Sequence, residues 1–216
     1  TITATDSDQS SSNTDTMTVT ITITGANDAP TITASDNTGA VTEDAGTTTA
    51  SDTLVFTDDD TDDTTLAWSM SGATDNGLTQ TLAGTYGSLV VTEASGAWTY
   101  TIDNTDSDTT ALDADDSVSD AFTVTGTDTN GGSDTETVTI TITGANDATS
   151  AGSDQTGAIT EDAGTTTATG TVAGTDDDTD DTTLAWSMTG ATDNGATQTL
   201  AGTYGSLVVT EASGAW

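Results

Sequence analysis

Apolar and polar residues alternate with a period of two wherever the chain is apolar at all. Met17, Val19, Ile21 and Ile23 share one face while Thr18, Thr20, Thr22 and Thr24 occupy the other, and Val138, Ile140 and Ile142 repeat the pattern. This is the mark of a half-buried strand, with the apolar side turned inward and the Thr side toward water. β-Branched Thr suits such exposed strand positions. The alternation runs on through Leu66, Trp68 and Met70, through Trp98, Tyr100 and Ile102, and through Phe122 and Val124, with Leu54 and Phe56 completing an apolar set. Turn residues separate the runs at Asn76-Gly77, Gly96, Asn130-Gly131-Gly132 and Gly144. No segment reads as a helix. The pattern predicts an all-β chain of roughly seven or eight short strands per unit, packed as a two-sheet, immunoglobulin-like sandwich with both Trp residues of each unit in its core.

The units are copies of one another. TVTITITGANDA stands at Thr18–Ala29 and again at Thr137–Ala148, TDDDTDDTTLAWSM at Thr57–Met70 and Thr175–Met188, and LAGTYGSLVVTEASGAW at Leu82–Trp98 and Leu200–Trp216. The last two pairs are offset by 118 residues and the first by 119, so one residue is lost just after the second GANDA, where DAPTITASDNTGA becomes DATSAGSDQTGA. The chain therefore divides into 1–30, the final strands of one repeat, 31–148, a complete repeat, and 149–216, the first part of another. Tandem sandwich repeats of about 118 residues, seen through a window on a longer array, are the expected organisation.

Composition changes this picture by raising the question of what balances the charge. The 216 residues hold 36 carboxylates and no Lys, Arg, His or Cys, for a formal charge of -36. No salt bridge between side chains is possible, and carboxylates must be met by water, hydroxyls, backbone N–H groups or cations. Leu, Ile, Val and Phe are scarce enough for composition alone to predict disorder, but fixed strand periodicity and Trp at fixed repeat positions argue for a folded chain. Nucleic acid and anionic lipid are excluded as partners, because both are bound through Lys and Arg. No apolar run approaches the ~18 residues that membrane insertion needs. Catalysis is poorly supported: no His, Lys or Cys is present as base or nucleophile, and an acidic pair for glycoside hydrolysis would have to come from duplicated Asp-rich loops.

Those loops carry the candidate chemistry. Asp58, Asp60 and Asp62 fall at alternate positions, as in the start of a calcium loop, although Asp63 stands where an EF-hand has Gly and Ser69 where it has Glu. Hard divalent cations take about six to eight oxygens, and closely spaced Asp residues supply them. Two carboxylates ~4 Å apart repel by about 4 kcal/mol at an effective dielectric of ~20, so a convergent cluster calls for a cation. A solvated acidic face of halophilic type is the alternative where the side chains do not converge. For Asp103, Asp106, Asp108, Asp113, Asp115 and Asp116 an exposed loop and a second site are both open.

GTYGSLVVTEASGAWTYTIDN, followed by AFTVTGTDTNGGSDTETVTITITGANDA, resembles the VCBS repeat of very large bacterial surface and biofilm adhesins. The GANDA ending, which continues as GANDAP in the first copy, also resembles the Asn-Asp linker of cadherin repeats, which binds calcium between successive domains. The resemblance implies Ca2+ as the cofactor. It matches Asn27 and Asp28 to the linker pair, Asp58 and Asp60 to the D-x-D of the following domain, and Asp128 to the Asp of an A-x-D-x-G turn. Asn146, Asp147, Asp176 and Asp178 are the counterparts at the next junction, and Glu43 and Glu161 match the linker-proximal Glu. Ala29 departs from the pattern, replacing the second linker Asn, and no D-R-E element exists.

The expected function is a structural extender of a long adhesin or matrix fibre, located outside the cell at its surface or in a biofilm matrix, with calcium rigidifying each junction. Its partners would be neighbouring repeats of the same chain or fibre. A polysaccharide or another cell is an alternative partner if the Trp and Tyr residues are exposed. A filament subunit completed by a strand from its neighbour is a further alternative.

Overall fold

The computed structural model describes residues 1–5, 14–61, 63–164, 166–178 and 183–216. Asp62, one of the three alternating carboxylates, lies outside the described residues. The first hairpin joins β1 (Ile2–Thr5) to β2 (Thr14–Met17). The central repeat contains β3 (Thr31–Thr33), β4 (Thr38–Thr42), β5 (Thr49–Thr53), β6 (Val55–Thr57), β7 (Ala67–Ser69), β8 (Thr74–Asp75), β9 (Thr79–Ala83), β10 (Gly87–Thr92), β11 (Ala97–Ile102), β12 (Ser117–Thr127) and β13 (Ser133–Thr143). Shorter strands follow: β14 (Ser150–Ala151), β15 (Gly174–Thr175), β16 (Thr192–Asp193), β17 (Thr197–Ala201) and β18 (Ser206–Thr210). No helix occurs among the described residues.

Two sheets build the sandwich, one in the order β4-β13-β12-β7 and the other β5-β11-β10-β9-β8, with β3 and β6 paired separately. β12 and β13 form the longest hairpin, from Ser117 opposite Thr143 to Thr127 opposite Ser133. β4 runs parallel to β13, with Thr38–Thr42 beside Thr139–Thr143. Inward-facing residues of both sheets meet in one core that includes Trp68, Leu89, Trp98, Tyr100, Phe122, Val138, Ile140 and Ile142. The rings of Tyr100 and Phe122, from opposite sheets, lie 6.0 Å apart. Both Trp side chains of the central repeat are buried as the alternation predicts, and Trp98 donates its indole N–H to the Asp36 carbonyl at 2.9 Å.

The repeat has more strands than the sequence pattern predicts. The short ones include β3, which pairs with β6, and the two-residue β8, both too short to display a period.

One buried carboxylate, Asp120, explains the GTYG motif. Asp120 accepts the Thr85 N–H at 2.9 Å, the Tyr86 N–H at 3.1 Å and the Tyr100 hydroxyl at 2.9 Å. A Cβ on Gly84 would stand 2.3 Å from that carboxylate, so only glycine lets the turn close on it. Burial, and then the Asp120 bond, raise the Tyr100 hydroxyl above the usual tyrosine range. Tyr100 therefore serves the fold as a neutral donor.

The first copy of the repeated dodecapeptide departs from its predicted strand. β2 stops at Met17, residues 18–30 belong to no strand, and Val19, Ile21 and Ile23 are 53%, 80% and 89% exposed. The alternation is present there, but no second sheet is packed against it.

Candidate metal centre

Two loops leave the same end of the sandwich and meet the linker that precedes it. One follows β6 and carries Asp58, Asp60 and Asp63. The other joins β12 to β13 and carries Asp128. Asp58 folds its own loop by accepting the Asp60 N–H on Oδ1 at 2.9 Å, while its Oδ2 is buried without a partner. Asp60 reaches the linker, taking the Asp28 N–H on Oδ2 at 2.8 Å. Asp63 fixes the loop to its neighbour by accepting the N–H and hydroxyl of Thr129. One carboxylate oxygen from each of Asp58, Asp60 and Asp63 lies within 4.8 Å of the other two.

Asp128 closes this first joint from the other side. Its Oδ1 accepts the N–H groups of Asn130 and Gly132, both at 2.8 Å, and its Oδ2 accepts the Asn27 amide at 3.0 Å. The Asn27 bond, with the turn N–H groups behind it, holds the Asp128 carboxyl below the usual carboxylate range. Gly132 is required by space: a Cβ there would lie 2.3 Å from Asp128 Oδ2, 2.8 Å from the Asn27 amide and 3.0 Å from the Ala29 backbone.

The second joint repeats the wiring. Asn146 donates its amide to the Asp147 carbonyl at 2.6 Å, as Asn27 does to Asp28 at 2.7 Å. The Asp147 N–H donates to Asp178 Oδ2 at 2.9 Å, and the Asp178 N–H to Asp176 Oδ1 at 3.3 Å. Asp176 Oδ2 and Asp178 Oδ1 are buried without partners, like Asp58 Oδ2 at the first joint.

Glu43 joins the second site from the preceding sandwich. It follows β4, its side chain is buried, and its Oε2 accepts the Ala145 N–H at 3.1 Å. Burial raises its pKa, the Ala145 bond opposes that, and the charges of Asp147, Asp44 and Asp178 raise it further. Asp147 is likewise raised, first by burial and then by Asp178, Asp44, Asp177 and Asp176. Asp44 adopts a φ of 50°, a left-handed conformation that aspartate tolerates better than most side chains.

The structure thus brings together Asn27, Asp28, Asp58, Asp60 and Asp128 at one joint, and Glu43, Asn146, Asp147, Asp176 and Asp178 at the other. Glu161 joins neither; it is exposed, in an open cleft lined by Ile159, Leu200, Tyr204 and Leu207. Asp63 was read from sequence only as a departure from the EF-hand, yet it is the most buried of its cluster. The Asp103–Asp116 loop uses carboxylates locally: Asp103 accepts from Thr105, Asp106 from the Asp108 N–H, and Asp116 from the Asp113 N–H. Trp68 and Trp98, being buried, offer no platform to a sugar.

Every candidate donor at the joints is oxygen, most are anionic, and three are buried carboxylate oxygens that no hydrogen bond serves. That donor set fits a hard divalent cation of the calcium type and does not suit softer metals.

Residues 27–144, more than half of the chain, match the family described as a bacterial cadherin-like domain. Among solved structures, the crystal structure of Drosophila N-cadherin EC1-4 is similar at 16% identity and a TM-score of 0.33, over 98% of this chain. The chain spans 46% of that structure's length. No curated protein matches the chain. No helix among the described residues is long and apolar enough to cross a membrane.

Proposed function

Because the chain belongs to the bacterial cadherin-like domain family, we propose that it is an extracellular structural repeat, of the VCBS kind, in an adhesin or matrix fibre whose joints are stiffened by Ca2+. The observation that carries this reading is the duplicated joint: the same linker Asn-Asp pair, tied to the same D-x-D, with unserved buried carboxylate oxygens in both places. At the first joint Asp58, Asp60 and Asp128 would hold the ion, and at the second Glu43, Asp147, Asp176 and Asp178. Bound calcium supplies positive charge where this chain has none of its own. The chain's own part is orientation. Asp28 and Asp147 donate backbone N–H groups to Asp60 and Asp178, which fixes each linker against the domain that follows. Neighbouring repeats of the same chain or fibre are the expected partners, at the cell surface or in the surrounding matrix.

The test is small-angle scattering and thermal unfolding of the full chain in calcium, and then in excess chelator. Chelation should broaden the distribution of end-to-end distances and lower the unfolding midpoint, since an ion bound only by the folded state stabilises it. An unchanged scattering curve and midpoint would refute the proposal.

A further inference from the structure

Three Asn-Gly pairs stand in the chain, at Asn76-Gly77, Asn130-Gly131 and Asn194-Gly195, and the hydrogen bonds around them are not alike. Asn76 donates its side-chain amide to Thr81 Oγ1 at 3.0 Å, and Asn194 donates to Thr199 Oγ1 at the same distance. Each also sends its own N–H to a carbonyl of the returning strand, that of Thr79 or Thr197, at 2.9 Å. Both are thereby pinned within a hairpin. Asn130 is exposed between β12 and β13, and the partner of its amide among the described residues is Asp63 Oδ2, at 3.5 Å. That is the outer limit of a hydrogen bond, so the Asn130 amide is the least restrained of the three.

Asparagine is thermolabile, most of all before glycine, where no Cβ keeps the next backbone nitrogen from the side-chain carbonyl carbon. Gly131 leaves room for that approach. Its φ is 97°, and a Cβ placed there would meet nothing within 4 Å. A proton acceptor stands beside it, because the Asp128 carboxylate takes the N–H groups of Asn130 and Gly132 at 2.8 Å and the Gly131 N–H is directed at it as well.

We propose that Asn130 is a site of self-modification, deamidating through a cyclic imide to aspartate and isoaspartate, and that the product unlocks the first joint. The Gly131 nitrogen bonds to Asn130 Cγ while its proton passes to a carboxylate or water. The Cγ–Nδ2 bond breaks and ammonia leaves. Water then opens the imide at either carbonyl, so the sum is water consumed and ammonia released, with no change of oxidation state and no reactant beyond solvent. Both products act on the loop that carries Asp128. Isoaspartate inserts a carbon into the main chain between positions 130 and 131, and the N–H groups on either side of it no longer both reach Asp128 Oδ1. Aspartate puts a carboxylate beside Asp63 where the amide stood, and the two repel. Either way the turn that aims Asp128 Oδ2 at the Asn27 amide is disturbed, and the linker loses that tie. No cation takes part, so the inference stands apart from the calcium reading of the joint.

The test is timed incubation of the full chain in warm, mildly alkaline buffer with chelator, followed by peptide mass spectrometry and thermal unfolding of the aged samples. Asn130 should convert about 2–10-fold faster than Asn76 and Asn194, the factor that one hydrogen bond to the amide holds back. Its peptide should split into two products of equal mass, aspartyl and isoaspartyl. The unfolding midpoint should fall as Asn130 is consumed. Asn130→Gln changes an exposed side chain to one that closes the ring far more slowly, so this variant should fold as the parent does and keep more of its midpoint on ageing. Equal rates at the three pairs, a slower rate at Asn130, or a purely aspartyl product would overturn modification through the imide at this site. A parent chain and an Asn130→Gln chain that lose their midpoints in step would overturn the unlocking of the joint.

Discussion

The two copies of TVTITITGANDA have the same twelve residues and only half of the same structure. In the second copy VTITIT is the inner part of β13, with Val138, Ile140 and Ile142 fully buried; in the first, the corresponding residues are exposed and belong to no strand. GANDA, by contrast, is wired alike in both, each Asn amide to the next carbonyl and each Asp N–H to a D-x-D carboxylate. The strand half draws its stability from a facing sheet and neighbouring strands, which only the second copy has. β-Propensity in this chain is therefore a fit to a surface and not a property of the segment. The wiring that the two joints share uses only the linker and the D-x-D loop of the domain that follows it.

The sharpest way to break this comparison is to truncate the same residue in both copies. Ile140→Ala should cost about 2–5 kcal/mol through the cavity it opens, whereas Ile21→Ala should stay within about 0.5 kcal/mol. Urea unfolding of the full chain, followed by Trp fluorescence, measures both, and similar losses would mean that the first copy is packed in solution. Next in size, Gly132→Ala should cost about 1–3 kcal/mol, because its Cβ is forced against Asp128 and Asn27. Thermal unfolding in calcium reads this loss.

The joints should respond alike where the strands do not. Asp60→Ala and Asp178→Ala should each weaken calcium binding by about 10–100-fold at its own joint and leave the other unchanged; calorimetric titration separates the two. The smallest effect is on pH dependence without divalent cation, and the two joints should differ in sign. Asp128 lies below its ordinary 3.8, so the stability it contributes is present above that value and is lost as pH falls through its folded-state pKa. Glu43 and Asp147 lie above their ordinary 4.5 and 3.8, so they destabilise at neutral pH and that loss is relieved as pH falls through their raised values. Carboxyl NMR titration should show this opposite order, and calcium should pull Glu43 and Asp147 down.

Much of the central sandwich is legible in the sequence because alternation and burial are the same fact there. Trp98, Tyr100 and Ile102 are in phase and all are buried. The polar members of the core are legible by the same phase. Asp120 sits between Val118 and Phe122 in β12, and Glu43 follows Val41 by two, just past the end of β4, so both carboxylates keep the inward phase of the strand that carries or precedes them. A polar residue at a core position signals a bonded network, and that signal marks Asp120, which the motif reading passed over. Asp63 has no such signal. Its burial depends on Thr129 and Asn130, from a loop 66 residues further on, and local spacing does not encode that approach. The exposure of Val19, Ile21 and Ile23 is equally invisible in a segment whose pattern is that of a buried strand.

The parallel pairing of β4 with β13 has a mechanical consequence. β4 is reached from the linker that enters the central repeat, and β13 runs directly into the linker that leaves it. Tension applied through the two linkers pulls β4 backward along its axis and β13 forward along the same line. The ladder between Thr38–Thr42 and Thr139–Thr143 is then loaded in shear, so its bonds share the force instead of unzipping one at a time. The same five-residue strand that seals the edge of the sandwich is thereby placed to act as its mechanical clamp.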